Sequence, residues 1–174
     1  QTVAYSWKRG MYMRLFIALP LCEAAVHQAE KIQEKWKESG MQGNWVPSEN
    51  FHLTLAFIGE SDQTAAILHV LNSMALPPIT LDFDKAGHFD DLYWIAPKPS
   101  ETLNEYVYQL RSQLKKAGVA FDEKAFKAHL TLVRKAQVPE GFELAQPNFK
   151  ASLSHVALME SNLEKGGAKY SVVK

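Results

Sequence analysis

The tetrapeptide His-Leu-Thr-Leu occurs twice in this chain, at residues 52–55 and again at residues 129–132. Both copies lie inside apolar runs, from Phe51 to Ile58 and from His129 to Val133, whose composition predicts β-strands. Side chains alternate faces along a strand, so His52 and Thr54 share one surface while Leu53 and Leu55 anchor the other. His129 and Thr131 do the same in the second copy. Two such surfaces facing one another would supply two imidazoles and two hydroxyls to one cleft, which is the inventory of an acid–base site.

The repeat extends past the motif. The segment from Arg14 to Ala18 corresponds to the segment from Leu92 to Ala96 at almost the spacing that relates the two histidines. Each short apolar run is followed by a helical pattern. The first, about Glu23 to Ser39, places Ala25, Ala29, Ile32 and Trp36 on one stripe and stops at Gly40. The second, about Glu101 to Ala117, uses Leu103, Val107, Leu110 and Leu114, with Ser100 as N-cap and Gly118 as the stop. The order strand, helix, loop, His-x-Thr strand is therefore traversed twice. Such an internal duplication predicts a pseudo-two-fold arrangement, with the equivalent strands meeting at the centre.

Elsewhere the pattern predicts a helix over residues 61–74, with Ala65, Leu68, Leu71 and Asn72 at helical spacing, and a strand over residues 79–84. Closing strands are predicted over residues 151–159 and 168–173. Turns are expected at Gly87, at Asp90-Asp91 and at Gly166-Gly167. Strands and helices are mixed rather than strictly alternating, so the fold class is α+β with antiparallel sheet. Residues 1–12 lack the periodicity that begins at Met13. They read as an N-terminal extension or a cloning remnant, leaving residues 13–174 as one domain or two intimately packed lobes.

Apolar residues make up 47% of the chain and charged residues 22%, ordinary proportions for a soluble globular protein. No apolar stretch approaches membrane-spanning length and no signal-peptide pattern opens the chain, so no membrane role is expected. The single cysteine, Cys22, excludes an internal disulfide, suits a cytoplasmic location, and reads as a small hydrophobe beside a helix start. The net charge is zero, which removes the global electrostatic footprint of a long-nucleic-acid binder. Lys124, Lys127, Arg134 and Lys135 nevertheless bracket the second motif, a placement that suits a short anionic ligand better than a duplex. These features are compatible with a monomer, and no obligate protein partner is evident.

The paired histidines define the chemistry to be expected. Zinc sites need three or four clustered ligands, and one cysteine with two distant histidines does not provide them, so neither a metal nor another cofactor is expected. A serine-nucleophile triad has no nucleophile-elbow sequence to support it. Unperturbed imidazole titrates at about pH 6.5, so one ring can accept a proton while the other donates one. Opening a cyclic phosphate requires both acts, since water must lose a proton and the departing ribose oxygen must gain one. The threonine hydroxyls can hold the phosphate oxygens as charge develops. Arg134 would clamp the phosphate as well if it turns back to the cleft, but five residues from His129 reverses the face on a regular strand. From spacing alone, an exposed strand-end cation is an equal alternative. His27 and His69 fall on predicted helices, His88 in a turn and His155 in a late strand, and structural roles are expected for all four. Trp45, Phe89, Trp94 and Tyr170 could stack a base, although core packing is the expectation for most of them.

The run from Phe51 to Glu60 and the run from His129 to Arg134 closely resemble the two His-x-Thr-x motifs of the 2H phosphoesterase superfamily. Within it they are most similar to the bacterial RNA 2′,3′-cyclic phosphodiesterases, also called 2′-5′ RNA ligases. The first strand, Arg14 to Leu19, and the Ala86-Gly87 pair fit the same family, and the resemblance covers essentially Met13 to Val173. Ala128 stands where the family often has proline. The resemblance implies a bilobed, pseudo-symmetric α+β fold around a central cleft. It implies His52 as proton donor to the leaving 3′ oxygen, His129 as the proton acceptor that activates water, and Thr54, Thr131 and Arg134 as phosphate-binding residues. It further implies an RNA end with a 2′-phosphate as product, no metal, and a capacity for the reverse 2′-5′ ligation. A phosphodiesterase acting on a small cyclic nucleotide or a 2′-5′ oligonucleotide, and a non-catalytic module that binds RNA ends, are the alternatives.

Overall fold

Nine strands and three helices follow one another in the computed structural model, which describes residues 13–164 and 167–173. They are β1 (Met13–Pro20), α1 (Glu23–Glu38), β2 (Gln42–Trp45), β3 (His52–Ser61), α2 (Thr64–Asn72), β4 (Ile79–Phe89), β5 (Leu92–Pro97), α3 (Glu101–Lys116), β6 (Leu130–Gln137), β7 (Phe149–Leu153), β8 (Ala157–Glu164) and β9 (Gly167–Val172). A 3-10 turn, Ser48–Asn50, leads into β3. The extension at residues 1–12 and the glycine turn at residue 166 lie outside the described residues.

The strands form two antiparallel sheets, ordered β3-β1-β8-β9 and β2-β6-β5-β4-β7. The first order matches the last four strands of the second, position for position. In each sheet the His-x-Thr strand lies beside the strand that the sequence repeat pairs with it, β3 beside β1 and β6 beside β5. The predicted pseudo-two-fold is thus realised, with β2 added at one edge. The third and fourth strands reach the two sheets differently. β4 joins β5 by a hairpin at Asp90-Asp91, whereas β8 returns from the far end of the chain to pair with β1. The α+β class with antiparallel sheets holds.

Helices α1 and α3 form as their stripes predict. Ala25, Ala29, Ile32 and Trp36 are buried on α1, and Leu103, Val107, Leu110 and Leu114 on α3. Ser100 caps α3 by accepting from the Leu103 amide at 3.1 Å, which satisfies one of the helix's free first-turn donors. Gly40 and Gly118 follow the two helices with φ of 100° and 75°, where a side chain would be strained. Burial of side chains such as Leu110 and Ile32 contributes about 1.5–3 kcal/mol each. Trp36 is fully buried and its indole Nε1 donates to the Ala145 carbonyl at 3.0 Å, tying α1 to the stretch before β7. Cys22 packs partly buried against the core just before α1. Among the described residues, no helix is long and apolar enough to cross a membrane.

Several sequence expectations are corrected. The helix expected over 61–74 is shorter, because Ser61 still pairs with Met13 in β3, and its buried residues are Ile67 and Val70 rather than Ala65 or Leu68. β4 runs on through Gly87 and His88, so neither lies in a turn. Gly87 reads as a strand breaker, yet it is needed within the strand: a Cβ there would sit 2.5 Å from the ring of Trp94 on the neighbouring strand. The single strand expected over 151–159 is two, β7 and β8, placed in different sheets, with His155 in the break between them. β2 is too short and polar to announce itself.

Candidate active site

The two histidines stand at corresponding places, His52 at the start of β3 and His129 immediately before β6. Each ring is oriented by the same device. Nδ1 of His52 lies 2.7 Å from the Asn50 carbonyl oxygen, and Nδ1 of His129 lies 2.8 Å from the Lys127 carbonyl oxygen. A carbonyl only accepts, so Nδ1–H is the donor in both rings, and in the neutral form Nε2 carries the lone pair. Nε2 of His52 is 2.9 Å from Thr54 Oγ1. Among the described residues, Nε2 of His129 has no such bond.

His52 is half-buried, with its ring 4.8 Å from that of Phe16 and 5.2 Å from that of Tyr170. Burial is the main force lowering its pKa below the ordinary imidazole range. The bond to the Asn50 carbonyl opposes this, and the charges of Arg134 and His129 add to the lowering. Arg134 stands on β6 of the other sheet, and His129 immediately precedes that strand.

Arg134 corrects the regular-strand argument. Trp94 pairs with Thr131 and Tyr93 pairs with Val133, which leaves Leu132 as an extra residue in β6. This bulge shifts the alternation by one. Leu130, Leu132 and Val133 are all buried, and Arg134 emerges exposed on the same face as Thr131 and Trp94. The strand β3 carries the same bulge at the same place. Ala18 pairs with Thr54 and Ile17 with Ala56, so Leu55 is the extra residue. Phe57, five residues after His52, therefore takes in β3 the position that Arg134 takes in β6. It is 38% exposed, with the Arg14 guanidinium 5.3 Å from its ring centroid.

None of the four aromatics singled out in the sequence is a buried core residue. Tyr170 stands edge-on to both Phe16 and His52. Phe89, 54% exposed, lies 5.4 Å from Trp94 and 6.1 Å from His129. Trp45 keeps the core-packing expectation, half-buried against the core beneath Lys37 of α1, whereas Phe89, Trp94 and Tyr170 gather around the two motif histidines. Phe16, which sequence reasoning passed over, is the ring nearest His52. Its signal was available: it alternates with Leu15 and Ile17 on the strand beside the motif. A separate depression of about 610 Å³, lined by Met74, Pro77, Glu101, Glu105, Tyr106 and Gln109 among others, contains no imidazole. Neither motif histidine lines it.

Residues 21–164 match the family described as the 2′-5′ RNA ligase superfamily, and this chain belongs to it. Its relatives include an RNA 2′,3′-cyclic phosphodiesterase of Thermotoga maritima, 28% identical over 92% of this chain and 93% of that protein. Another RNA 2′,3′-cyclic phosphodiesterase, from Archaeoglobus fulgidus, is 31% identical over 88% of this chain and 90% of that protein. Among solved structures, Escherichia coli LigT complexed with 3′-AMP superposes with a TM-score of 0.79 at 27% identity, covering 94% of this chain and 96% of that one.

Proposed function

We propose that this protein is an RNA 2′,3′-cyclic phosphodiesterase that opens cyclic phosphate ends to 2′-phosphate ends, with His52 and His129 as its acid–base pair. The observation that carries the reading is the matched pair of imidazoles, each locked through Nδ1 to a carbonyl two residues back so that Nε2 faces the reaction. Membership of the superfamily and the activity named for its relatives support the substrate.

In the hydrolysis, Nε2 of His129 takes a proton from water as the water oxygen attacks phosphorus. The bond from phosphorus to the 3′ oxygen breaks, and that oxygen takes the proton held on Nε2 of His52. The 2′ ester bond stays intact. The tie to Thr54 suits this role for His52. When the ring is neutral, the threonine hydroxyl donates to Nε2. When the ring is protonated in the free protein, Nε2–H donates to Thr54 Oγ1; with substrate bound that same proton turns to the 3′ oxygen, and the hydroxyl is free to donate to a phosphate oxygen. Thr131 and Arg134 bind the remaining phosphate oxygens, with Arg134 presented there by the Leu132 bulge. His52 has a lowered pKa in the free protein, yet a bound phosphate monoanion favours its charged form, so the substrate itself helps load the acid.

Residues 13–174 act as one two-lobed unit, with RNA 3′ ends as the partner, in the cytoplasm and as a monomer. The test is a short RNA ending in a 2′,3′-cyclic phosphate, incubated with EDTA and either wild type or each His→Ala variant. Conversion to the 2′-phosphate by wild type alone is the expected result. No conversion by wild type overturns the reading, and equal conversion by either variant overturns the two-histidine mechanism.

A further inference from the structure

Each bulge places a leucine carbonyl, that of Leu55 or Leu132, within reach of a helix side chain, and the Leu132 carbonyl accepts the Val46 amide as well, at 3.0 Å. Each is taken up by a long polar side chain from a helix. The Gln33 amide on α1 donates to the Leu132 carbonyl at 2.9 Å, and also to the Val46 carbonyl at 2.9 Å. The Arg111 guanidinium on α3 donates to the Leu55 carbonyl through Nε at 3.2 Å and Nη2 at 3.0 Å, and through Nη1 to the Lys124 carbonyl at 2.7 Å. Gln33 and Arg111 are the same position of the repeat, since α1 begins at Glu23 and α3 at Glu101 and each residue lies ten places further on.

The connections are crossed. Gln33 belongs to the first repeat and holds the bulge of the second motif, while Arg111 belongs to the second and holds the bulge of the first. With its other bond, each side chain grips the loop that enters its own repeat's motif, Val46 ahead of His52 and Lys124 ahead of His129. Gln33 is only 7% exposed, and the Arg111 guanidinium stands over the rings of Phe121 and Phe126, 5.6 and 5.9 Å from their centroids. Gln33 is enclosed and Arg111 is half-buried, its guanidinium spent on two backbone carbonyls. A one-residue shift in a strand's alternation sends every later side chain to the opposite face, so whatever secures the bulge decides whether Arg134 faces the phosphate or the core.

We propose that Gln33 and Arg111 are a crossed pair of positioning residues, each fixing from one repeat the bulge that aims the other repeat's catalytic strand. The inference rests on the roles given above to His52, His129 and Arg134.

The test measures hydrolysis of the cyclic-phosphate RNA by Gln33→Leu, Arg111→Leu, Arg111→Gln, Arg134→Ala and the double variant Gln33→Leu/Arg134→Ala, with melting temperature and circular dichroism for each. Gln33→Leu should fold and lose at least tenfold in kcat/KM. In the Arg134→Ala background the same change should cost under threefold, because the group it aims is already gone. Arg111→Gln carries the donor that the other repeat uses, and should keep most of the activity that Arg111→Leu loses. A folded Gln33→Leu protein with wild-type kinetics overturns the proposal. So does a Gln33→Leu loss that persists in full without Arg134, or an Arg111→Gln protein as poor as Arg111→Leu. If the leucine variants fail to fold, Gln33→Asn, with its amide drawn back by one methylene, is read in the same cycle. A histidine-ring NMR titration separates this proposal from the proposed activity. Gln33→Leu should move the His52 titration in the same direction as Arg134→Ala, and an unmoved His52 overturns the positioning role even where wild type shows no turnover.

Discussion

Thr54 Oγ1 lies 2.9 Å from His52 Nε2, two residues apart on one strand face, so the hydroxyl and the imidazole share a single hydrogen bond whose direction depends on the proton the ring carries. Replacing Thr54 by valine keeps the shape and removes the exchange. We expect kcat to fall by about 100–1000-fold, the range for loss of one donor to a charged transition state, with KM changed much less. Steady-state kinetics at saturating cyclic-phosphate RNA reads this directly, and an unchanged kcat would remove Thr54 from the reaction.

His52→Ala and His129→Ala should each lower turnover by roughly a hundredfold or more, as for loss of a general acid or base. The two act in one step, so the double variant should be far less impaired than the product of the single losses. Single-turnover rates of the three variants provide the check. Full multiplicativity would mean that the rings act independently.

The pH dependence has a definite sign. Protonated His52 is the acid, so activity is lost on the alkaline side as pH rises through its pKa. Burial lowers that pKa, and the Arg134 and His129 charges lower it further. Arg134→Ala removes one of the lowering charges, so the alkaline limb of the kcat/KM profile should move to higher pH even as the rate falls. A bound phosphate raises the same pKa, so the kcat profile should reach further to the alkaline side than the kcat/KM profile. An alkaline limb unmoved by Arg134→Ala would place that limb on another group.

His52 also links stability to pH. Its folded pKa lies below its unfolded one, so the folded protein prefers the neutral ring. The contribution is complete above the unfolded imidazole pKa and fades as pH falls through the folded one. Thermal unfolding at pH 7.5 and pH 5 should therefore show a larger drop for wild type than for His52→Asn. Equal drops would count against the buried neutral ring.

Trp36 tests the packing that supports the site. It is fully buried, meets Tyr93 edge-on with ring centroids 6.2 Å apart, and bonds the Ala145 carbonyl. Trp36→Ala should cost about 3–5 kcal/mol, measured by urea unfolding, while Trp36→Phe should cost less because it forfeits chiefly the bond.

The duplication, the helices α1 and α3 with their caps, and the pairing of His52 with Thr54 and of His129 with Thr131 are all legible in the chain. Each depends on residues a few places apart, where the periods of helix and strand and the chemistry of caps act locally. Arg134 is different. Counting faces from His129 leaves it undecided, because the alternation changes at Leu132 and nothing in the Leu-Val sequence there marks a bulge. Gly87 misleads for a related reason: it looks like a turn residue, but the ring that requires it belongs to Trp94 on another strand. The run from Ala151 to Met159 likewise gives no local sign that its two ends enter different sheets.

By itself the sequence determined the repeat, the α+β class and the two imidazole–hydroxyl pairs, since these follow from spacing along one strand. Only the tertiary structure decided which face Arg134 takes, which aromatics line the cleft, and that the helix of each repeat grips the strand of the other. Those outcomes rest on contacts between residues far apart in the chain, such as Gln33 with Leu132 and Arg111 with Leu55. Their donors and acceptors find each other only after the two sheets have formed.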